Sequence, residues 1–193
     1  MSDSILTKTI IADTFRGIMA KKSFEKITIS DITDQCGLNR QSFYYHFKDK
    51  YELLNWILFH EIIMPFSDGL NSNNWNEKLL DILFLIKENS RFYSNAFNTT
   101  HGYEFRHFLL SSVTNIFNCV IDQITDGVNV TPEDKTFIAE FLSYGVSGSV
   151  SNWVRTGMKQ DPKYIVLHLR DIVNGLRSYF KTNYLTKQKS EPK

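Results

Sequence analysis

Residues 28–54, TISDITDQCGLNRQSFYYHFKDKYELL, constrain the fold more than any other stretch of this 193-residue chain. Thr28, with Asp31 three positions on, reads as a capped helix start, and the helix it opens carries Ile29, Ile32 and Cys36 inward. Gly37 ends that helix, because glycine enters the left-handed region without a Cβ clash. Leu38 fills the turn. Asn39 caps a second short helix, Arg40 to Phe47, and Asp49 with Glu52 caps another carrying Leu53, Leu54, Trp56, Ile57 and Phe59. Two short helices crossing at a turn of small residues, with a third behind them, form the helix-turn-helix layout. That layout puts its second helix into the DNA major groove. Cys36 is read as a small packing residue in that crossing rather than a redox sensor.

The other segments are also helical in pattern. Ile5, Leu6, Ile10, Ile11, Phe15, Ile18 and Met19 recur at helical spacing, which predicts an amphipathic helix over 3–22. The helix opened at Asp49 is expected to end near Pro65 and Gly69. Asn74 is a candidate cap for a helix with Leu79, Leu80, Ile82, Leu83, Leu85 and Ile86. Residues 89–101 read as a short helix plus loop, and 103–125 as a longer helix. Thr131-Pro132-Glu133-Asp134 is a helix start with its cap, N1 proline and first-turn acids, and that helix should reach about Gly157. Asp161-Pro162 repeats the device for a last helix to about Asn183. No strand alternation and no internal repeat stands out, so the fold class is all-α. The expected organisation is a head over 1–50, a helical body over 51–185 and a disordered polar tail over 186–193.

Composition narrows the function. Net charge is +1, and the first 50 residues hold eight Lys/Arg against six Asp/Glu, too small an excess to argue nucleic acid from bulk charge. Cys36 and Cys119 stand far apart, with no CxxC or His/Cys spacing for zinc, so no metal and no cofactor is expected. No leader-like apolar segment and no run approaching 18 apolar residues is present, which predicts a cytoplasmic protein with no membrane partner. His60-Glu61 lacks the second histidine of H-E-x-x-H, and there is no G-x-S-x-G, P-loop or G-x-G-x-x-G, so an enzyme is not expected.

In the second helix of the head, Arg40, Gln41 and Ser42 occupy the first turn, followed by Tyr44, Tyr45 and His46. Arginine pairs with guanine O6/N7 and glutamine with adenine N6/N7. Tyrosine, serine, threonine and lysine more often hold phosphates. The helix starts at Thr28 and Asp49 also offer backbone N–H groups suited to phosphate. The plain alternative is a solvated polar face on an ordinary helical hairpin, which would make the chain an interaction module that ignores DNA. Phe43 and Phe47 read as core.

Residues 10–57 resemble the DNA-binding domain of the TetR/AcrR family of transcription regulators. The resemblance is carried by Ile29 and Ile32, by Cys36-Gly37-Leu38, and above all by Phe43-Tyr44-Tyr45-His46-Phe47 followed by Lys50 and Leu53-Leu54. It implies a three-helix DNA-binding domain joined to a C-terminal helical bundle for effector binding and dimerisation. It also implies a homodimer on a double-stranded DNA operator. Position by position, it puts Arg40, Gln41 and Ser42 at the bases, Tyr44, His46 and Lys50 at phosphates, and Thr28 and Ser30 beside the groove. Thr33 stands where the family usually has alanine, and its hydroxyl then needs a partner such as a carbonyl one turn earlier. Residues 144–158, with Gly145-x-x-Gly148 and Trp153-Val154-x-x-Gly157-Met158, are similar to one C-terminal subgroup. Together with residues 89–97 they resemble regulators of dihydroxyacetone kinase operons. Some regulators of that subgroup act as activators and respond to a partner protein, so the resemblance offers a protein co-activator as the alternative to a free small-molecule effector.

Two further sites are expected in the body. Gly145, Gly148 and Ser149, with Trp153, Leu169, Ile172 and Leu176, would form the dimer surface, the small residues allowing close helix approach; tight packing within one subunit is the competing reading of the glycines. A ligand cavity between the central helices, usual in the family, would draw on Phe92, Phe97, Phe105, Phe108 and Tyr144, with His101 and His107 as polar groups. Plain core is the stronger reading of those aromatics.

Overall fold

The computed structural model describes residues 3–71, 73–99, 103–125 and 130–190, and the side chains of most of them. The order is α1 (Asp3–Met19), a 3-10 turn (Phe24–Lys26), α2 (Ile29–Cys36), α3 (Arg40–His46), α4 (Lys50–Leu58), a π turn (Phe59–Ile63), α5 (Met64–Ser67), α6 (Trp75–Glu88), α7 (Ser90–Phe97), α8 (Tyr103–Ile124), α9 (Pro132–Arg155) and α10 (Pro162–Ser190). No strand occurs among the described residues, as the periodicity predicts.

Local chemistry sets most of the ends. Thr28 and Asp31 form the full capping box: the Asp31 N–H donates to Thr28 Oγ1, and the Thr28 N–H donates to Asp31 Oδ2 at 2.7 Å. Gly37 adopts φ +69°, and its N–H closes on the Thr33 carbonyl. The Thr33 hydroxyl finds the Ile29 carbonyl at 3.1 Å, one turn earlier, so the residue is tolerated without an orphan donor. Asn39 and Asp49 cap α3 and α4, and Thr131 caps α9. Asn74 does not cap α6. Its side chain accepts from the Asn71 N–H and donates to the Gly69 carbonyl, so it braces the preceding loop instead.

Two stretches differ from the expected helices. The segment expected as one helix from Asp49 to Pro65 is interrupted by the π turn, in which the Met64 N–H reaches back five residues to the Phe59 carbonyl. Pro65 has no N–H and its ring crowds the carbonyl four residues earlier, so the widened turn accommodates it without breaking the rod. The last helix continues to Ser190 rather than stopping near Asn183. No glycine or proline intervenes between Gly175 and Pro192, and Lys, Gln, Leu and Tyr impose little helix penalty.

Burial joins the head to the body. One cluster runs from Ile11, Phe15, Phe43 and Phe47 through Leu53 and Ile57 to Leu83, Tyr93, Trp153 and Val166. A smaller one gathers Ile121, Val130, Ile138 and Leu142 between α8 and α9. The core is therefore continuous across the position near 50. α9 packs on α7 and α8, while α10 packs on α6.

Candidate functional site

The second helix of the head divides cleanly into two faces. Phe43 and Phe47 are buried and fix its depth, and the rings of Phe47 and Trp56 meet edge-on at 6.0 Å. Outward stand Arg40, Gln41, Tyr44 and Tyr45, with Tyr44 at 49% and Tyr45 at 82% exposure. Ser42 and His46 are half-buried. Asn39 Oδ1 accepts both the Ser42 N–H at 2.7 Å and the Ser42 hydroxyl at 3.0 Å. The Ser42 hydroxyl is thus committed to the cap, whereas among the described residues the Arg40 guanidinium meets only the exposed Tyr44 hydroxyl, at 3.5 Å. Ring packing at 4.9 Å sets Tyr45 against His46. Arginine, glutamine and two phenols on one exposed helix face make a donor-rich surface.

The two helix starts offered for phosphate are already occupied. Asp31 fills the start of α2, and Thr28 Oγ1 donates to its carboxylate at 2.8 Å. Asp49 accepts the Tyr51 and Glu52 N–H groups at 2.9 Å each, and Glu52 takes the Lys48 N–H. A carboxylate at each N-terminus neutralises the positive end that would draw an anion, so these starts are capped, not open. Ser30 is half-buried on the first turn of α2.

Asp31 also holds Lys22 Nζ at 2.7 Å. That contact first, then the Thr28 N–H and hydroxyl, lowers its pKa from the ordinary 3.8 to about 2, with partial burial opposing. A depressed carboxylate pKa stabilises the fold above the unfolded value and stops doing so as pH falls through the folded one. Asp31→Asn should therefore lag the parent chain in chemical unfolding by a constant margin at neutral pH. The margin should close between about pH 4 and pH 2. A margin that does not change across that window would contradict this assignment.

Lys50 is placed differently from a free phosphate finger. Its ammonium is half-buried and donates to three backbone carbonyls: Phe24 at 2.9 Å, Glu25 at 3.2 Å and Ile27 at 2.9 Å. It also lies over the Phe24 ring, 4.6 Å from its centroid. Burial lowers its pKa, against the charges of Glu25 and Asp31. An ammonium has three donors, and all three are used inside the head.

Sequence reasoning missed the polar groups that tie the head to the body. Asn95 of α7 accepts the Phe24 N–H at 2.8 Å and donates to the Met19 and Lys22 carbonyls at 3.0 and 2.8 Å. Arg16 of α1 pairs with Glu61 of the π turn, and its other terminal nitrogen donates to Asn89 Oδ1 at 3.3 Å. Glu61 in turn accepts the Tyr93 hydroxyl at 2.9 Å. Burial raises the Glu61 pKa against the pull of Arg16, and burial first, then the Glu61 charge, pushes the Tyr93 phenol well up. The only sequence signal was the aromatic, Asn-rich composition of the short helix and loop expected over 89–101.

The body holds an apolar cavity of about 270 Å³, bounded by the π turn, α6, α8, α9 and α10. Of the residues expected to line it, Phe97 does. Phe92 is instead core, with the Arg16 guanidinium over its ring at 5.5 Å. Tyr144 faces outward at 64% exposure, because the helical phase that buries Leu142 and Ser143 turns it away. His107 is exposed on α8. His101, and the side chains of Phe105 and Phe108, lie outside the described residues.

Of the expected dimer residues, Gly145, Gly148, Ser149 and Ile172 are exposed on α9 and α10, beside exposed Phe137, Phe141 and Tyr164. A Cβ built on Gly145 or Gly148 would meet nothing within 4 Å in this chain, so neither glycine serves close packing inside the subunit. Trp153 is buried in its own core and donates its indole N–H to the Gln160 carbonyl at 3.1 Å. Leu169 and Leu176 are half-buried against their own subunit's clusters. No described helix is long and apolar enough to cross a membrane.

Residues 11–57 match the family described as bacterial regulatory proteins, tetR family, and residues 73–175 match a transcriptional regulator C-terminal region. Over 121 residues the chain is 33% identical to the HTH-type dhaKLM operon transcriptional activator DhaS of Lactococcus lactis, covering 63% of this chain and 64% of that protein. The match thus spans a little under two thirds of that relative. Among solved structures, the dihydroxyacetone kinase operon activator DhaS superposes with a TM-score of 0.73 at 24% identity, over 91% of this chain and 98% of that one. The fatty acid degradation regulator FadR of Bacillus halodurans gives 0.63 at 16% identity, over 91% and 96%. Likeness at those identities speaks to the fold. The relatives named are regulators, consistent with the lack of enzyme motifs. With one family match over the head and a second over more than half the chain, this protein belongs to the TetR family of bacterial regulatory proteins.

Proposed function

We propose that this chain is a cytoplasmic, homodimeric regulator that reads an operator with α3 and is controlled through its body. The observation that carries the reading is the face of α3: its aromatic anchors Phe43 and Phe47 are buried, while Arg40, Gln41, Tyr44 and Tyr45 stand clear of the surface. Two such helices, related by a two-fold axis through the exposed faces of α9 and α10, would meet successive major-groove faces about 34–36 Å apart, or somewhat more.

Control runs through the π turn. Ile62 and Ile63 line the cavity, and the adjacent Glu61 holds Arg16 of the head. An occupant pressing on that wall changes the seat of α1 and α4, and so the separation of the two heads. The second reading, a transcriptional activator of a dihydroxyacetone kinase operon that takes its signal from a protein co-activator, is favoured by the 33% identity to the Lactococcus lactis activator.

Fluorescence anisotropy against the chain's own upstream DNA and neighbouring promoters, titrated with salt beside a scrambled duplex, tests the reading. Tight, salt-sensitive binding with a large preference over the scramble supports it, and equal weak binding to every duplex opposes it. Arg40→Ala should cost about 1–3 kcal/mol and relax preference at one base position. Uniform weakening on all duplexes would move Arg40 to the phosphates. No effect at all would favour an interaction module.

A further inference from the structure

We infer that Tyr45 reads a thymine through its 5-methyl group, about two base pairs from an adenine held by Gln41, and that these two residues form the base-reading ridge of α3. The inference rests on the operator-binding reading above and names the bases that the ridge selects.

The ridge follows from helix geometry. At 3.6 residues per turn, successive side chains are rotated by about 100°. The buried rings of Phe43 and Phe47 mark the inward direction. Gln41 and Tyr45 point about 160° away from it, out of the head. Arg40 and Tyr44 fall about 60° from the inward direction on one flank, and Ser42 and His46 about 100° from it on the other. The burial pattern agrees: Tyr45 is the most exposed aromatic of α3, Tyr44 is less so, and Ser42 and His46 are half-buried. A helix laid in the major groove turns its outward ridge to the base edges on the floor and its flanks to the phosphates on either side. The length of Arg40 still takes its guanidinium to a base edge from the flank.

The two consecutive tyrosines are held in different ways. The Tyr44 ring stands edge-on to buried Phe43, centroids 5.6 Å apart, and its hydroxyl meets the Arg40 guanidinium. That ring belongs to the flank. The Tyr45 ring rests edge-on against the His46 imidazole, at 4.9 Å and 87°. Its hydroxyl has no hydrogen-bond partner among the described residues. The imidazole keeps the ring from folding back along the helix, so an apolar face stays presented outward.

The major groove offers that face one apolar group, the thymine 5-methyl. Cytosine lacks the methyl and shows an amine donor, which the face of a phenol ring does not satisfy. Packing the methyl on the ring removes apolar surface of both from water. Gln41 lies one turn before Tyr45 on the same ridge, about 6 Å along the axis, or about two base-pair rises. It is exposed, and its amide suits adenine N6 and N7 in bidentate fashion. The ridge thus selects A·T pairs at two places in each half-site, once by hydrogen bonds and once by a methyl group.

Operator duplexes selected by the parent chain from a random-sequence pool supply the probe. Each thymine is then replaced singly by deoxyuridine, which removes the methyl and keeps every hydrogen bond, and affinity is read by anisotropy. One thymine per half-site should lose about three- to fivefold, the worth of one buried methyl. That penalty should vanish in Tyr45→Ser and remain in Tyr45→Phe, which keeps the ring. Gln41→Ala should relax the preference for adenine about two base pairs away. A scan that is flat at every thymine overturns the inference, and so does a penalty undiminished in Tyr45→Ser. A penalty that Tyr45→Phe abolishes gives the contact to the hydroxyl and overturns the methyl reading. Base preferences unmoved by Gln41→Ala overturn the ridge. The deoxyuridine scan needs no variant, so a misfolded mutant cannot mask its answer. A sharp consensus with a flat scan loses this inference alone. A pool that yields no consensus removes the operator reading beneath it.

Discussion

Asn95→Ala should lower the unfolding free energy by about 2–4 kcal/mol and release the C-terminal end of α1 from the body. Asn95 joins three backbone groups of the head, at Met19, Lys22 and Phe24, from a helix more than 70 residues away. Removing its amide strands two carbonyls and one N–H at once, and each buried orphan costs about 1–3 kcal/mol. The site is part-buried, so water recovers some of that and the sum stays below the maximum. A denaturant midpoint that falls with an unchanged slope would report the loss. Amide exchange should rise selectively over residues 19–27. Operator affinity should fall as well, because two heads that wander no longer present α3 at a fixed separation. A midpoint within about 0.5 kcal/mol of the parent, the usual range for a surface substitution, would remove Asn95 from this role.

That residue also marks the limit of what the sequence discloses. The head was legible because its information is local. Thr28, Asn39 and Asp49 cap the helices their positions announce, as Thr131 does in the body, and Gly37 takes the left-handed turn. The alternation of buried Phe43 and Phe47 with exposed Tyr44 and Tyr45 follows from helical period alone. Asn74 failed as a cap because the loop before it had stronger claims on its amide. The head–body joint was not legible, because Arg16, Glu61, Tyr93 and Asn95 meet only across long sequence separations. The cavity was only partly so. α9 is apolar on two sides, burying Ile138 and Leu142 while exposing Phe137, Phe141 and Tyr144, so composition could not say which aromatics face inward. The resemblance supplied a plausible role for Lys50, but a family pattern does not say where a flexible ammonium rests in one particular chain.

Lys50→Ala should destabilise the head by about 2–3 kcal/mol while leaving the salt dependence of operator binding nearly unchanged in the folded variant. The two possible roles of this residue separate on that pair of readouts. A phosphate contact releases counterions, so its loss flattens the slope of log affinity against log salt by about 0.9 and need not touch stability. A strut does the reverse. Lys50 Nζ lies at 2.9–3.2 Å from the carbonyls of Phe24, Glu25 and Ile27, joining the start of α4 to the turn that leads into α2. Hydrogen bonds to a charged donor contribute about 1.5–3 kcal/mol each when buried, and half-burial together with the cost of desolvating the ammonium brings the sum down to the range given. Lys50→Arg sharpens the test. A guanidinium keeps the charge and would serve a phosphate at least as well, yet its planar fork cannot converge on three carbonyls as a compact ammonium does. Arginine should therefore restore little of the stability that alanine loses. Full rescue by arginine, with a flattened slope in the alanine variant, would return Lys50 to the DNA backbone and leave the α2–α4 junction to apolar packing alone.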